Sequence, residues 1–595
     1  MAITLSNLSY LYSALDRYDA AFDHIRRASI ILRQHIGRTV EQQLDRDLSE
    51  HKDIRYVFVK HVDSAWSLAG REPSKRAALT AEAFEAGQLA KGTNTATALI
   101  GMAARFAAAD NALSSLVRIR QDATDTWQRL DNDLVKAVGQ PPNKRDMDTE
   151  QQIRAQLTEL DNKLKTLDGR LNSEFPEYAE LASLQPAPLS DLQKLLGPDE
   201  ALLFYVLSDG NTFLWVVRKN KTRMFNLDIG YEELRDAVMD LRVGLDPTNI
   251  ASLSDLPAFD TTKAFQLYDK IFASAEPLLN GIQHLFVVPD GPLQSLPLGV
   301  LVTKEIQGDF TNFSGYRQVP WLAKKYALTT LPSVSSLRAL RSFVKAAQAN
   351  KPFGGIGDPL LQGHPGESRG VKLSSLFTSR GIADVNAVRT MLAPLPETAD
   401  ELEAMSRILG GGKDDLFLRK RATESLVKTA ALDKYKVLAF ATHGLVAGEL
   451  KGLAEPALVL TPPSQGTEQD DGLLTASEVA TLELNADIVV LSACNTASAD
   501  GSPDAEALSG LAKAFFYAGS RSLLVSHWSV GSDAAVILTT KMLKETANDN
   551  SVGRAEGLRR SMLALMGTPG NPHYAHPMFW APFVVVGEGG TYAVN

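Results

Sequence analysis

The sequence predicts an α/β domain with a mostly parallel central sheet flanked by helices, preceded by an all-α region. Three observations carry that prediction. Residues 1–175 repeat apolar side chains at helical spacing, whereas strand-like and helical patterns alternate from about residue 189 to 590. Several strand-like runs, such as Val437–Ala441 and Ile488–Leu491, are apolar throughout, as in strands buried on both faces. Polar residues follow those two runs directly, as Thr442-His443-Gly444 and Ser492-Ala493-Cys494-Asn495-Thr496. Open α/β sheets carry their sites just past the carboxyl ends of strands.

At 595 residues the chain exceeds a single core, and its 44% apolar and 22% charged content is that of a globular protein. A net charge of -9 with no basic cluster argues against nucleic acid as partner. Cys494 is the sole cysteine, which excludes an intramolecular disulfide. No apolar run reaches the ~20 residues of a membrane span, and no signal peptide is legible, so a cytoplasmic location is expected. Met1 opens directly inside a helical pattern, which leaves room for a longer repeat array upstream.

Residues 1–33 place Leu5, Leu8, Leu11 and Leu15, then Ala21, Phe22, Ile25, Ala28 and Leu32, at helical spacing. Leu8, Tyr12, Ala21, Ile25 and Ala28 fit a tetratricopeptide helix pair, whose small residues allow close helix approach. A degenerate second pair is read over 54–90, and the repeat region is placed at 1–94. Residues 95–175 read as a long helical hairpin broken by Gly139-Gln140-Pro141-Pro142. Its second arm carries a heptad seam of Ile153, Leu157, Leu160, Leu164, Leu167 and Leu171. A spacer and a partner-docking arm are both compatible with it.

Beyond the break near 175–188, Ala201–Val206 and Phe213–Val217 flank Asp209-Gly210-Asn211 as a hairpin. Further strands are expected at Leu285–Val288, Tyr326–Leu331, Leu523–Ser526 and Phe583–Val586. Helices are expected at Ala264–Ala275, Ser333–Ala347, Thr398–Leu409, Glu506–Tyr517 and Ser532–Glu545. The stretches 354–393 and 461–472 read as long surface loops.

A cysteine hydrolase needs a thiolate, a base and donors for the developing oxyanion. Cys494 supplies the first and His443 the second; the N–H groups of Gly444 and Cys494 are the candidate oxyanion hole. His443 precedes Cys494 by 51 residues, close to the spacing of the caspase histidine and its Ala-Cys pair. The residues around the caspase cysteine are replaced here by Ser492 and Asn495-Thr496. His527 and His576 read as packing or hydrogen-bonding residues, Asp290-Gly291 as a tight turn and Gly410-Gly411-Gly412-Lys413 as a turn. No cofactor and no metal site is expected.

Ala441-Thr442-His443-Gly444 with Leu491–Thr496 resembles the CHAT domain, a caspase-like, separase-related family. Matching blocks run in order along 189–590: Val288–Leu293 with Leu296-Pro297-Leu298, Leu395–Thr398, Leu508–Ala512, Ser526–Val530 and His576–Phe583. The resemblance implies a pseudo-peptidase-like half at 189–430 and a catalytic half at 431–590. It also implies a cysteine endopeptidase with His443 as general base and Cys494 as nucleophile, acting on a protein substrate. A regulatory protein partner would bind through the helical region, and relatives point to bacterial defence. In many members an acid after the Trp-x-Val block receives a basic P1 residue. Here Asp533 stands one or two places late, and a helix cap at Ser532/Asp533 is an equal reading. A catalytically silent scaffold and a thiol acyltransferase are the competing readings.

Overall fold

The computed structural model describes residues 2–40, 47–91, 145–174, 186–245, 255–308, 310, 312–343, 349–363, 383–445, 456–467, 469–492, 510–528 and 532–591, with scattered positions between 116 and 137. The chain divides into two compact units, Met1–Leu189 with Arg338–Lys345, and Ser190–Leu337 with Ala346–Asn595.

In the first unit, helices Ala2–Ala14, Tyr18–Val40, Asp47–Arg71 and Arg76–Ala90 pack consecutively on one another. Ala21, Ile25 and Ala28 are completely buried, so the small residues do serve close helix contact. Phe58, Val62, Ala83 and Phe84 fill the next interface. A polar bridge crosses this core: the His61 ring meets Ser29 Oγ at 3.0 Å and Glu82 Oε1 at 3.2 Å, and Arg26 reaches Glu82 at 2.7 Å. The first helix forms where its spacing places it. Its buried face is Ala2, Leu5, Ser6 and Ser9, while Leu8, Leu11 and Leu15 are exposed. Spacing alone identifies an apolar stripe, but a neighbour must exist to cover it.

Met147–Glu174 forms the expected long helix, burying Leu157, Leu167 and Leu171. The described residues Leu116, Ala123, Trp127, Leu130 and Leu134 are helical; Gly139–Pro142, and Phe175–Pro176 at the inferred break, lie outside the described residues. Gln88 makes a reciprocal pair with the backbone of Ala187, donating to its oxygen and accepting from its nitrogen, each at 2.9 Å.

The second unit is built on an eleven-stranded sheet. In chain order its strands are β1 Glu200–Leu207, β2 Thr212–Arg218, β3 Lys221–Leu227, β4 His284–Val288, β5 Ala327–Thr330, β6 Lys351–Gly357, β7 Leu416–Leu418, β8 Tyr435–Ala441, β12 Ile488–Leu491, β13 Ser522–Ser526 and β14 Phe583–Gly587. A small sheet joins β9 Gly444–Leu445, β10 Ala457–Val459 and β11 Leu473–Thr475. The large sheet runs β3-β2-β1-β4-β5-β14-β13-β12-β8-β6-β7. β1, β4, β5 and β14 are mutually parallel, as are β13, β12, β8, β6 and β7. The two blocks meet antiparallel at β13–β14. Because strand direction reverses there, the carboxyl ends of β6, β7, β8, β12 and β13 share one edge. Flanking helices include Thr261–Ile271, Glu397–Leu409, Gly510–Ala518, Ser532–Asn548 and Arg554–Met566.

The hairpin of β1 and β2 and the strands β4, β5, β8, β12, β13 and β14 match expectation within a residue or two. Four features differ. β3 is half-exposed, and β7 and the strands of the small sheet are only two or three residues long, too short to stand out in the chain. The stretch 354–393 is not a loop throughout, since Lys351–Gly357 is β6 and Val385–Met391 a helix; 364–382 lies outside the described residues. Glycines make β6 look like a loop, yet packing requires them. A Cβ on Gly354 would meet the Tyr435 ring at 2.9 Å, and one on Gly357 would meet Ala441 O at 2.6 Å and Leu402 at 2.7 Å. The absent side chains let β6 sit tightly between β8 and the helix Glu397–Leu409.

The tight turn at Asp290-Gly291 is present. Gly291 has φ 53°, and Asp290 Oδ2 accepts from the Leu207 N–H at 2.7 Å. Gly410, with φ 77°, ends the helix Glu397–Leu409 in a left-handed cap. His527 and His576 are core residues: Nδ1 of His576 accepts from Met578 N at 3.2 Å, and the Tyr316 ring packs against the His576 ring at 5.1 Å.

Two outcomes follow from this packing. Gly357→Ala should lower unfolding free energy by about 1–3 kcal/mol in urea titration, by overpacking. Gly210→Ala, with nothing within 4 Å of its Cβ, should stay within about 0.5 kcal/mol. Burial pushes the imidazoles of His527 and His576 down to about 3. The unfolded chain takes up protons near pH 6.5, whereas the native chain does not until near 3. Their contribution is therefore complete above 6.5 and is lost as pH falls from 6.5 towards 3, at about 1.4 kcal/mol per pH unit for each histidine. Urea midpoints between pH 7.5 and 5 should show this slope, and His527→Leu should remove one histidine's share.

Candidate active site

The site starts from the register of β8 and β12. Both strands are buried apolar runs, and they pair in parallel with Phe440 opposite Leu491. Pairing continues one residue further, since Ser492 N donates to Phe440 O at 2.9 Å. On the other side, Gly357 of β6 lies opposite Ala441. Thr442 and His443 thus leave the sheet at its carboxyl edge with a strand on each side.

Three hydrogen bonds set that segment. Thr442 Oγ1 donates to Val459 O at 2.5 Å, and Val459 N donates to His443 O at 3.0 Å. The third joins His443 Nε2 to Ala393 O at 2.8 Å. A carbonyl only accepts, so Nε2 carries the proton and Nδ1 the lone pair that a base uses. His443 is fully buried. Gly444 lies opposite Leu458 in the antiparallel β9–β10 pair, next to the bonded His443–Val459 position. Alternation along such a ladder turns the Gly444 N–H away from β10, as an oxyanion donor requires.

Ala393 O comes from the segment leading into Leu395-Pro396-Glu397-Thr398. Thr398 is fully buried; its hydroxyl donates to Leu395 O at 2.7 Å and accepts from Asp358 N at 2.9 Å. This block therefore supports both the histidine and the end of β6. The helix that follows carries Glu401, which has no exposed surface. Its Oε2 accepts from Ser492 Oγ at 3.2 Å and its Oε1 from Thr539 Oγ1 at 3.1 Å. Glu401 thus anchors the first residue after β12 to the helix Ser532–Asn548. Sequence reasoning missed it because a Glu within an amphipathic helix looks like any solvated one.

Cys494, Asn495 and Thr496 lie outside the described residues, as do Ser529, Val530 and Gly531. Asp533 is exposed in the first turn of the helix Ser532–Asn548. The Tyr574 hydroxyl is pushed up, by burial first and then by the charge of Asp533. The other motif blocks are structural ties. Trp528 Nε1 donates to Met578 O at 2.9 Å and His527 N to Pro582 O at 2.8 Å, which locks the Ser-His-Trp block onto the His-Pro-Met-Phe-Trp block. Among the described residues no group of three His, Cys, Asp or Glu side chains is arranged to hold a metal. Among them also, no helix is long and apolar enough to cross a membrane.

The family model described as CHAT domain matches residues 261–588, more than half of the chain. Two curated relatives are named tetratricopeptide repeat protein 28. The mouse protein is 24% identical over 370 residues and the human one 23% over 366, covering 54% of this chain in each case. The chain spans only 13% of their length. Among solved structures, the Saccharomyces cerevisiae separase–securin complex aligns at a TM-score of 0.36 and 11% identity, over 99% of this chain and 47% of that one. The Arg-specific cysteine proteinase gingipain R aligns at 0.31 and 10%, over 60% and 75%. With its ordered motif blocks and its mixed sheet flanked by helices, the chain belongs to the CHAT-domain family, with tetratricopeptide-like helices ahead of the domain.

Proposed function

We propose that the protein is a regulated cysteine endopeptidase in which His443 is the general base and Cys494 the nucleophile. The observation that carries this reading is the paired register of Phe440 and Leu491, from which His443 and Cys494 are each three residues on. His443 Nδ1 would take the thiol proton, the thiolate would attack the scissile carbonyl, and the imidazolium would protonate the leaving amine. The N–H groups of Gly444 and Cys494 would hold the oxyanion. Water would then release the acyl group and restore the thiol. The substrate is a protein cut after a basic P1 residue, for which Asp533 is the acid proposed from sequence. In this reading residues 189–430 form the pseudo-peptidase-like half and 431–590 the catalytic half, with repeats at 1–94 and a hairpin at 95–175.

Complete burial of His443 supports a latent state. The helical region is the proposed input, binding a regulatory protein partner, and a role in bacterial defence fits such a device. The same burial supports a second reading, a catalytically silent scaffold.

Peptide-library cleavage by the full chain, beside Cys494→Ala and His443→Ala, separates the two. Turnover by the chain alone should be slow, and each substitution should reduce it by about 10³-fold or more. Equal turnover in either variant would remove the dyad from the mechanism. Labelling of Cys494 by an electrophilic probe without peptide cleavage would instead favour another acyl chemistry. Glu401→Ala should weaken the site through its supports: it removes the carboxylate that accepts from the Ser492 and Thr539 hydroxyls and should cost about 1–3 kcal/mol in urea unfolding.

A further inference from the structure

A cavity of about 680 Å³, counting its mouth, lies between the sheet and the helix Arg554–Met566. That helix packs over β5 and β14, which sit inside the eleven-stranded sheet with a strand on either side. Central strands beneath a helix are ordinarily sealed, because sheet and helix bury their apolar faces against each other. Here Leu328 and Thr330 of β5 and Val584 of β14 stay partly exposed, and all three line the cavity. The helix contributes Leu558 and Met562, and the Leu296-Pro297-Leu298 block completes the wall. A concave, largely apolar space of this size with a few polar groups has the character of a small-molecule site.

Two polar side chains decide what the cavity can take. Arg559 already has its partners: Nε and Nη2 donate to Glu556 at 2.6 and 3.0 Å, and Nη1 donates to Lys324 O at 3.0 Å. Its charge is matched by that carboxylate, and no other lysine or arginine lines the cavity. An acid would therefore find no counter-ion, which favours an uncharged ligand. His527 is the opposite case. It follows β13, its side chain lines the cavity, and it is 5% exposed. Nδ1 of its ring is buried and has no hydrogen-bond partner. Burial, and then the charge of Arg242, keep the ring neutral, with one donor and one acceptor nitrogen. A buried nitrogen left unpaired is costly, and in folded proteins it is the exception that marks a missing partner. Water fills that role where several polar groups surround it, whereas these walls are mainly hydrocarbon.

We propose that this cavity binds a small uncharged molecule with an apolar ring or chain and one hydroxyl or carbonyl group. That group bonds His527, and the hydrocarbon lies between the helix Arg554–Met566 and the strands β5 and β14. None of the lining residues comes from β8 or β12. The site is thus separate from the proposed dyad and stands whether or not a peptide is cut.

Thymol is the probe, and cymene, the same hydrocarbon without the hydroxyl, is its control. Both are titrated into the full chain with isotope-labelled methionine methyl groups, the Met562 signal being identified by its loss in Met562→Leu. Thymol should bind saturably and shift the Met562 signal, and cymene should shift the same signal about tenfold more weakly. His527→Leu keeps the wall apolar; it should weaken thymol about tenfold and leave cymene unchanged. Leu558→Trp, which fills the cavity, should abolish binding of both, and Cys494→Ala should bind as the unsubstituted chain does. Far-UV circular dichroism checks that each variant folds. Absence of saturable thymol binding overturns the site, as does saturable binding that leaves the Met562 signal unmoved. Equal thymol affinity in His527→Leu overturns the assigned ligand class. Were the variants to misfold, equal affinity of the unsubstituted chain for thymol and cymene would overturn it alone. Thymol binding that persists while no peptide is cut would count against the peptidase and leave this site standing.

Discussion

The parallel pairing of β6, β8 and β12 is the constraint on which the candidate site depends. Three buried strands in register deliver the end of β6, the His443 segment and Ser492 to one edge of the sheet. A slip of one residue would turn buried side chains of β8 onto the opposite face and carry His443 away from Ala393 O. Register is held by close packing. Glycines in β6 leave no room for a shift against Tyr435, Leu402 and Ala441, and the strand core of Leu438, Ala439, Phe440, Val489 and Val490 is wholly buried.

Polar groups buried behind that edge do the aiming. Thr442, Thr398, Glu401 and Ser492 are almost or fully inaccessible, and each has a bonded partner. A buried polar network is costly unless satisfied, and once satisfied it admits few alternative arrangements. The Leu-Pro-Glu-Thr block thereby acquires a physical role. It supplies the carbonyl that sets the His443 tautomer, and through Thr398 it bonds the backbone of Asp358. Strained backbone at Asp358 and Arg419, with φ 46° and 52°, belongs to the same edge, where such conformations are expected when surrounding structure over-determines them.

The antiparallel junction of β13 and β14 divides the sheet into two parallel blocks of opposite direction. One consequence is that the His-Pro-Met-Phe-Trp block, far along the chain, meets the Ser-His-Trp block at the ends of these strands. Trp528 and Trp580 each spend their indole N–H on a backbone oxygen, of Met578 and Ala575 respectively. Motifs that a sequence reader would enlist as catalytic are here the ties that close the two blocks together.

Much of this was legible in the residues themselves. Continuous apolar runs such as Val437–Ala441 and Ile488–Leu491 identify strands buried on both faces, because burial on both sides removes the polar alternation. Polar residues directly after them locate His443 and its place at the sheet edge, and small residues at Ala21 and Ala28 identify the close helix pair. What needed the tertiary structure was anything whose meaning depends on a neighbour distant in sequence. β6 is rich in glycine, and only the approach of Tyr435 and Leu402 explains why. Leu8, Leu11 and Leu15 have helical spacing but are exposed, with no covering element among the described residues. Glu401 and Asp358 are ordinary acids until burial and a strand register give them their surroundings. Periodicity follows from local backbone geometry and is written in the chain; burial and charge environment are sums over the whole fold and are not.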